Sequence, residues 1–461
     1  MLRHLKHKSG VSLIICILLL ASMPLLANAE PQDERGYNNR GLDFFVEEKF
    51  DQAISDFTKA ITINSRFEYA YNNRGIVYIA LKQPDLAIAD FSKAIEVNPK
   101  YGYAYYWRGK AYYAKGQFQQ AITDINQAIS SGYQHIEVYR TRAIVYFDLE
   151  QYPSAIADFD KYLAIDPQDM NLHFKRGLAY SNLKQFNQAI DDFNLVILTN
   201  PQDAAAYSGR GLANYHLQQY EQALADFDNA ITITPNSASF YFYRGNAYCT
   251  LKQNDKAIAD YDKAITINPN FELPYSNRGF AYYELRQFDK AIADYDRVIA
   301  INPKLEPTYA NRGFAYYELG NFEQAMSDFN KALEFSKAIP NTYFGRGNTY
   351  LALKQYDSAV ADYNKALALE PNQESVFRYT LYRGIAYLQS GKFHQSITDF
   401  ENALALDPQF AALYYYKGLA LMNLDRNQEA IAAFGQYIAL GTDDSSLNEA
   451  KDYILKLTET S

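Results

Sequence analysis

One interval constrains this chain more than any other property it has. An Arg-Gly or Arg-Ala pair recurs eleven times and a Lys-Gly pair once, at Arg40, Arg74, Arg108, Arg142, Arg176, Arg210, Arg244, Arg278, Arg312, Arg346, Arg383 and Lys417. Every step is 34 residues except that from Arg346 to Arg383, which is 37. A period of that length marks one supersecondary unit copied twelve times. No copy is large enough to bury its own apolar face, so stacking on neighbours has to build the core. Function is therefore to be sought on a stacked surface.

The content of one copy gives its local structure. Tyr71, Arg74, Gly75 and Tyr78 stand at helical spacing, and Ala87, Asp90, Phe91 and Ala94 repeat that spacing further on. The run Lys82-Gln83-Pro84-Asp85 is expected to break the first helix, and Asn98-Pro99 to end the second, because proline lacks the donor that a continuing helix needs. Each copy thus reads as a helix hairpin, with helix A carrying the cation and helix B following it. Glycine follows the cation in every copy but that of Ala143, and alanine stands thirteen residues after it in every copy but that of Ser396. Small residues where two helices approach, with rings such as Tyr78, Phe91, Tyr105 and Tyr112 around them, let a hairpin reach interior density without strain.

Tyr105, Gly109, Tyr112, Ala121 and Ala128 fall on the signature of the tetratricopeptide repeat, and the chain resembles that family from about residue 34 to 444. Repeats start near 34, 68, 102, 136, 170, 204, 238, 272, 306, 340, 377 and 411. The resemblance implies an all-α, right-handed superhelical solenoid of about twelve helix-turn-helix units. One departure stands out: arginine occupies the place before the glycine where the family's signature usually has leucine.

Each of these arginines is followed sixteen residues later by an aspartate, from Asp56, Asp90 and Asp124 through Asp362 and Asp399. In the last copy both change together, to Lys417 and Ala433. Two pairings fit this covariation. One is an ion pair bridging the helices of one hairpin, as Arg74 with Asp90; the other links each aspartate to the next copy's arginine. Either makes the cations structural rather than a row of phosphate ligands.

The ends differ in kind. Arg3, Lys6 and Lys8, an apolar run from Val11 to about Leu20, and Ala27-Asn28-Ala29 read as a signal peptide over residues 1–29, with export to a periplasmic or extracellular compartment. Two alternatives stand beside it: retention of the segment as an anchor, which is the one route to a membrane, and lipid attachment at Cys16. Without the leader only Cys249 remains, so packing alone must hold the chain together. The insertion of three residues near Pro371–Tyr382 turns a helix by roughly 300°. It fits a first helix that starts one turn early, or a hinge. Residues 445–461, with Leu447, Ala450, Ile454 and Leu457 on one face, read as an amphipathic capping helix and tail.

The chain carries a net charge of −9, and loss of the leader removes three cations and no acid, giving −12. That balance argues against nucleic acid and acidic membranes as partners. Of the 42 Tyr, 28 Phe and 1 Trp, packing slots exemplified by Phe91, Tyr105, Tyr112 and Phe118 absorb 40 and leave 31. The resemblance implies that the A helices line a concave face, exposed five and two residues before the cation and two and five after it. Those positions carry Phe45, Tyr69, Tyr103, Tyr106, Tyr113, Phe147, Phe174, Tyr215, Phe242, Phe280, Tyr283, Phe314, Tyr317, Phe344 and Tyr415.

The candidate ligand-binding set on this track is Tyr106, Tyr113, Phe174, Tyr215, Phe242, Asn246, Phe280, Tyr283, Phe314, Tyr317, Phe344 and Asn348. Asn38, Asn72, Arg140 and Arg378 are further polar positions where specificity could reside. Tyrosine offers a large contact area with a polar tip and little rotamer cost, which suits it to gripping partners. The opposing reading is that tightly wound helices bury these rings against their neighbours.

By resemblance, the chain is a non-enzymatic scaffold for an extended protein or peptide segment. The same rings and amides would also stack and bond sugars, which makes a polysaccharide partner the alternative. No cofactor, metal or catalytic residue is expected. There is no phosphate-cradling glycine loop and no clustered His/Cys motif, and His135, His173, His216 and His394 lie in different repeats. Paired acids such as Asp158 with Asp160, Asp260 with Asp262 and Asp294 with Asp296 sit two apart on a helix. One of each pair is expected to meet arginine and the other to face water.

Overall fold

The chain is described by a computed structural model over residues 30–369, 372–441 and 446–459. The expected leader, Pro371 at the insertion, and residues 442–445 ahead of the last helix lie outside the described residues. Among the described residues there are 25 helices and no strands. They pair into twelve A/B hairpins, from Glu34–Val46 with Phe50–Ile63 to Ala411–Met422 with Asn427–Ala439, and Ser446–Glu459 follows as a single helix. None of these helices is long and apolar enough to cross a membrane.

The hairpins form two compact units. Six fall in the residues up to Ile233, and six plus the terminal helix fall in the residues from Thr234. Within each unit, A packs on its own B, and B packs on the next A. The apolar side of each B helix fills the hairpin: Ala87, Phe91 and Ala94 are fully buried, as are Ala325, Phe329 and Ala332. The glycine after the cation, absent only at Ala143, makes room for this ring. A Cβ at Gly75 would lie 2.7 Å from the Phe91 ring, and one at Gly347 2.7 Å from the Tyr363 ring. The terminal helix closes the second unit by burying Ala450 and Leu457 against the last hairpin, with Tyr453 stacked on Phe434 at 5.4 Å.

The turn inside each hairpin is made by a residue the sequence did not mark. Eight positions after every cation the backbone is left-handed, as at Lys82 (φ 58°), Lys252 (φ 56°) and Asp425 (φ 55°). Glycine fills this place only at Gly116, Gly320 and Gly391. Pro84 accordingly does not break helix A; it opens helix B, where its fixed φ and missing donor cost nothing. Between hairpins, Asn98 ends helix B and its side chain accepts from Lys100 N at 3.1 Å. At the insertion, helix A runs from Gln373 to Gln389, 17 residues against 13 for Pro340–Ala352, so it starts a turn early.

All eleven arginines pair with the aspartate sixteen residues on. In the second hairpin, Arg74 Nε donates to Asp90 Oδ2 at 2.8 Å and Nη2 to Oδ1 at 2.7 Å. The same two-pronged fork holds Asp124, Asp192, Asp328 and Asp399. This hydrogen bonding holds the Arg74 guanidinium above its ordinary pKa.

The remaining prong, Nη1, reaches backward to the preceding hairpin, to the residue two places after that hairpin's own aspartate. In the first unit it meets Thr58, Ser92, Asn126, Asp160 and Asn194. In the second unit Arg278, Arg312, Arg346 and Arg383 meet Asp262, Asp296, Asn330 and Asn364. The second acid of each acidic pair is therefore not a water-facing bystander. Asp160, Asp262 and Asp296 take the next repeat's arginine, because a B helix turns its two carboxylates toward two different A helices. Lys417, with a single ammonium, keeps only the backward link, to Glu401 at 2.7 Å, and its own helix B needs no aspartate at Ala433.

Among the described residues no hairpin precedes Arg40. Glu30 takes that place, accepting from Arg40 Nη1 at 3.0 Å and from Lys59 at 3.1 Å. These bonds, Arg40 first, hold the Glu30 carboxyl down at about 2.

Two outcomes test this frame. Asp90→Ala strands a largely buried guanidinium and should cost about 3–5 kcal/mol, read as faster native-state hydrogen exchange in Glu68–Ala80 and Pro84–Val97. A loss below about 1 kcal/mol would match an ordinary surface pair instead. For Glu30 the folded value lies below the ordinary 4.5, so its contribution is full above pH 4.5 and is lost as pH falls toward 2. Exchange protection of Glu34–Val46 should drop across that window, and Glu30→Gln should flatten the drop.

Candidate functional site

The A-helix positions of the expected track divide into classes that the period alone does not distinguish. The place two residues before the cation faces the next A helix and is mostly closed. Tyr106, Phe242, Phe344, Asn38 and Asn72 are all buried there. The contacts responsible are visible. Tyr106 Oη lies 3.2 Å from Thr141 Oγ1, and Phe344 lies 4.9 Å from Tyr379 and 5.3 Å from Tyr382. Phe242 packs at 5.2 Å on Phe271. Phe174 holds the same register but is half-buried, against Phe193 at 5.7 Å. These rings hold adjacent hairpins together, because consecutive A helices come close enough to share them.

Five residues after the cation, each ring leans on the first ring of its own helix B. Tyr113 meets Phe118, Phe147 meets Tyr152, Tyr215 meets Tyr220, Tyr283 meets Phe288 and Tyr317 meets Phe322, all between 5.4 and 5.8 Å. These five are half-buried; Phe45, in the same register against Phe50, is buried outright. Tyr113 also donates to Asp148 at 2.7 Å, and burial with that bond pushes its phenol up to about 12. Burial, with Glu318 and Glu284 nearby, pushes Tyr283 up as well.

Asn246 and Asn348 are committed to the frame. Asn246 Oδ1 accepts from Tyr261 at 2.9 Å and from Asn277 at 2.8 Å, and the buried Asn348 accepts from Tyr363 at 2.8 Å. Where helix B carries tyrosine seventeen places after the cation, an asparagine two places after that cation receives its hydroxyl. The eighth repeat breaks this rule: Tyr295 is present, but Phe280 stands where the asparagine would be.

The consequence is a pocket in the second unit. It has a volume of about 350 Å³ and is lined by Phe280, Tyr283, Glu284, Tyr295, Asn311, Phe314, Asn341, Phe344 and Arg378. Of the candidate set, it gathers Phe280, Tyr283, Phe314 and Phe344. Tyr113, Phe174 and Tyr215 belong to the first unit and Tyr317 lies outside the lining. Phe280 is 47% exposed, one of the most open rings of the chain besides Tyr69 at 48%. Arg378 lies on the lengthened helix with its Cζ 4.8 Å from the centre of the Phe344 ring and Nη2 donating to Asn341 Oδ1 at 3.1 Å.

Asn311, Asn341, Glu284 and Tyr295 were missed by sequence reasoning. Asn341 sits on the track and was readable; Tyr295 was readable through its missing asparagine partner. Asn311, adjacent to its repeat's cation, carried no signal of its own.

The histidines are local. His173 is buried with Nδ1 2.7 Å from Asp192, and His216 stacks on Phe186 at 4.9 Å. No group of three or more His, Cys, Asp or Glu side chains that could hold a metal is found among the described residues.

Family models agree with this architecture. Tetratricopeptide repeat models match residues 68–101, 273–305, 307–337 and 340–373, and residues 106–170, 140–198 and 381–445. A further TPR repeat model matches 215–252 and 245–286. Helix hairpins on a 34-residue period, eleven of them locked by an arginine of the first helix, define a repeat scaffold. The chain belongs to the tetratricopeptide repeat family.

Among solved structures it is similar to YrrB, described as a TPR protein with an unusual peptide-binding site, at 26% identity over 39% of this chain and 92% of that one, TM-score 0.38. It is similar to yeast Tom70 at 17% identity over 92% of this chain and 95% of that one, TM-score 0.38. A tetratricopeptide repeat protein from Parabacteroides merdae aligns at 20% identity over 54% of this chain and 99% of that one, TM-score 0.37. No curated protein gave a significant match.

The division into buried and open rings is measurable. Phe344→Ala should cost about 3–5 kcal/mol, as expected for an excavated core ring, and Phe280→Ala less than about 0.5 kcal/mol. Hydrogen exchange in Pro340–Ala352 and Glu272–Glu284 reads both, and equal effects would contradict the division.

Proposed function

We propose that the chain is a non-enzymatic scaffold that binds an extended peptide or protein segment on its A-helix face, in a periplasmic or extracellular compartment. Tetratricopeptide proteins bind protein or peptide partners, and this face is where the present chain leaves aromatic surface uncommitted. The carrying observation is the pocket beside Phe280, where open phenyl rings adjoin amide, hydroxyl and guanidinium groups. Apolar walls with a few placed polar groups are the usual make-up of a recognition pocket. The compartment rests on the basic, apolar and small-residue order of the first 29 residues.

A second reading, polysaccharide binding on the same surface, is supported by the pairing of open rings with the Asn311 and Asn341 amides. The test is a pull-down from the native compartment with wild type and with Phe280, Tyr283, Phe314 and Tyr317 all changed to alanine, beside a glycan array. The substituted protein, still folded by circular dichroism, should lose captured peptide partners at least tenfold. Full retention refutes the pocket, and binding to glycans alone transfers it to the second reading.

A further inference from the structure

Resting on the reading above, the pocket's chemistry narrows the class of segment it takes. Its polar groups are unevenly spent. Among the described residues, Tyr295 forms no hydrogen bond through its hydroxyl, although the residue is only 1% exposed and lines the pocket. Its counterparts Tyr261 and Tyr363 are both satisfied by an asparagine that Phe280 replaces here. A hydroxyl without a protein acceptor, on a residue that lines a cavity, is available to a bound group. Asn311 likewise makes no hydrogen bond through its amide among the described residues.

Arg378 is the decisive group. It is exposed and forms no ion pair with a carboxylate among the described residues, unlike the eleven frame arginines. Its guanidinium is nonetheless held in place: it covers Phe344 at 4.8 Å, lies 5.5 Å from the Tyr379 ring, and donates one N–H to Asn341. Stacking and one hydrogen bond leave the other N–H groups of a planar fork free and oriented, which is the geometry that receives a carboxylate. The extra helical turn contributes to this placement. In the preceding repeat the equivalent residue, Asn341, is the second residue of its helix, whereas Arg378 is the sixth of Gln373–Gln389.

The two charged residues of the lining, Arg378 and Glu284, have opposite signs. Arg378 stands on the eleventh repeat's helix A, Phe314 on the ninth's, and Glu284 with Phe280 on the eighth's. A pocket of about 350 Å³ accommodates one large side chain rather than a folded element. The face of Phe344 is occupied by the guanidinium, and Phe314 is set edge-on to Phe329 at 75°. That leaves ring contacts suited to another aromatic side chain more than an open platform for a sugar ring.

We infer that the pocket receives an aromatic side chain of a bound peptide whose neighbouring acidic residue pairs with Arg378. The aromatic ring packs against Phe280 and Phe314, the Tyr295 hydroxyl and Asn311 amide meet the peptide's main chain, and Glu284 disfavours a second acid.

Fluorescein-labelled peptides on the full chain test this, with Asp-Phe and Phe-Asp cores in a glycine-serine background, matched cores carrying Asn or Lys for Asp, and an oligouronate as the acidic glycan. Fluorescence anisotropy should show an Asp core binding about tenfold tighter than its Asn counterpart, as expected for one charge-assisted hydrogen-bonded pair. The preference should vanish in Arg378→Gln and shrink with salt, while Glu284→Gln should not weaken binding. Arg378 is exposed, so its replacement leaves the fold in place.

Equal binding of Asp and Asn cores, or a preference that survives Arg378→Gln, overturns the acidic assignment and leaves the peptide scaffold standing. Binding of the oligouronate with none of the peptides overturns both, and so does failure of every probe.

Discussion

The three-pronged use of arginine is the interaction on which the rest of this structure depends. A hairpin of two short helices is marginal alone, and a hydrophobic seam between them does not specify rotation. The bidentate fork from Arg74 to Asp90 sets the rotation of A against B, and the third N–H to Thr58 sets that hairpin against the one before it. One side chain thus encodes both contacts of the repeat. Leucine in its place would supply packing but no direction. The charge pairs gain little net stability from burial; what they supply is a single geometry, repeated.

The chain's ends show that the frame is a set of demands rather than a habit of sequence. At the start of the described residues, Glu30 receives the Nη1 prong of Arg40 that in later repeats reaches the preceding hairpin. At the finish, lysine replaces arginine, a single backward bond to Glu401 remains, and the aspartate is dropped. The terminal helix then covers the apolar side of the last hairpin.

Against this background the second unit's pocket is a local departure from a rule. Tyrosine at the hairpin seam costs nothing when an asparagine on helix A accepts its hydroxyl, as in the seventh and tenth repeats. In the eighth repeat phenylalanine takes that position, the hydroxyl of Tyr295 beside the cavity loses that acceptor, and Phe280 is left open. The lengthened helix of the eleventh repeat adds an arginine outside the frame. Specialisation in a repeat protein is easiest to recognise as such a break, since the other copies display what the position does when it has only a structural task.

Much of the fold was legible in one dimension. The period, the two helices per copy and the small residues at their crossing follow from spacing, because they are decided within a hairpin, whereas spacing left open whether each aspartate meets its own arginine or the next one. The left-handed turn residue was not legible, since glycine fills only three of its twelve places and lysine, glutamate, glutamine, arginine and aspartate fill the other nine. Nor was the fate of the tyrosines and phenylalanines. A helical register states which side a residue is on, but whether Tyr106 is sealed and Phe280 open depends on how closely the next helix approaches and what it carries there. Those distances arise between repeats, from the summed packing of many side chains, and only the tertiary structure decided them.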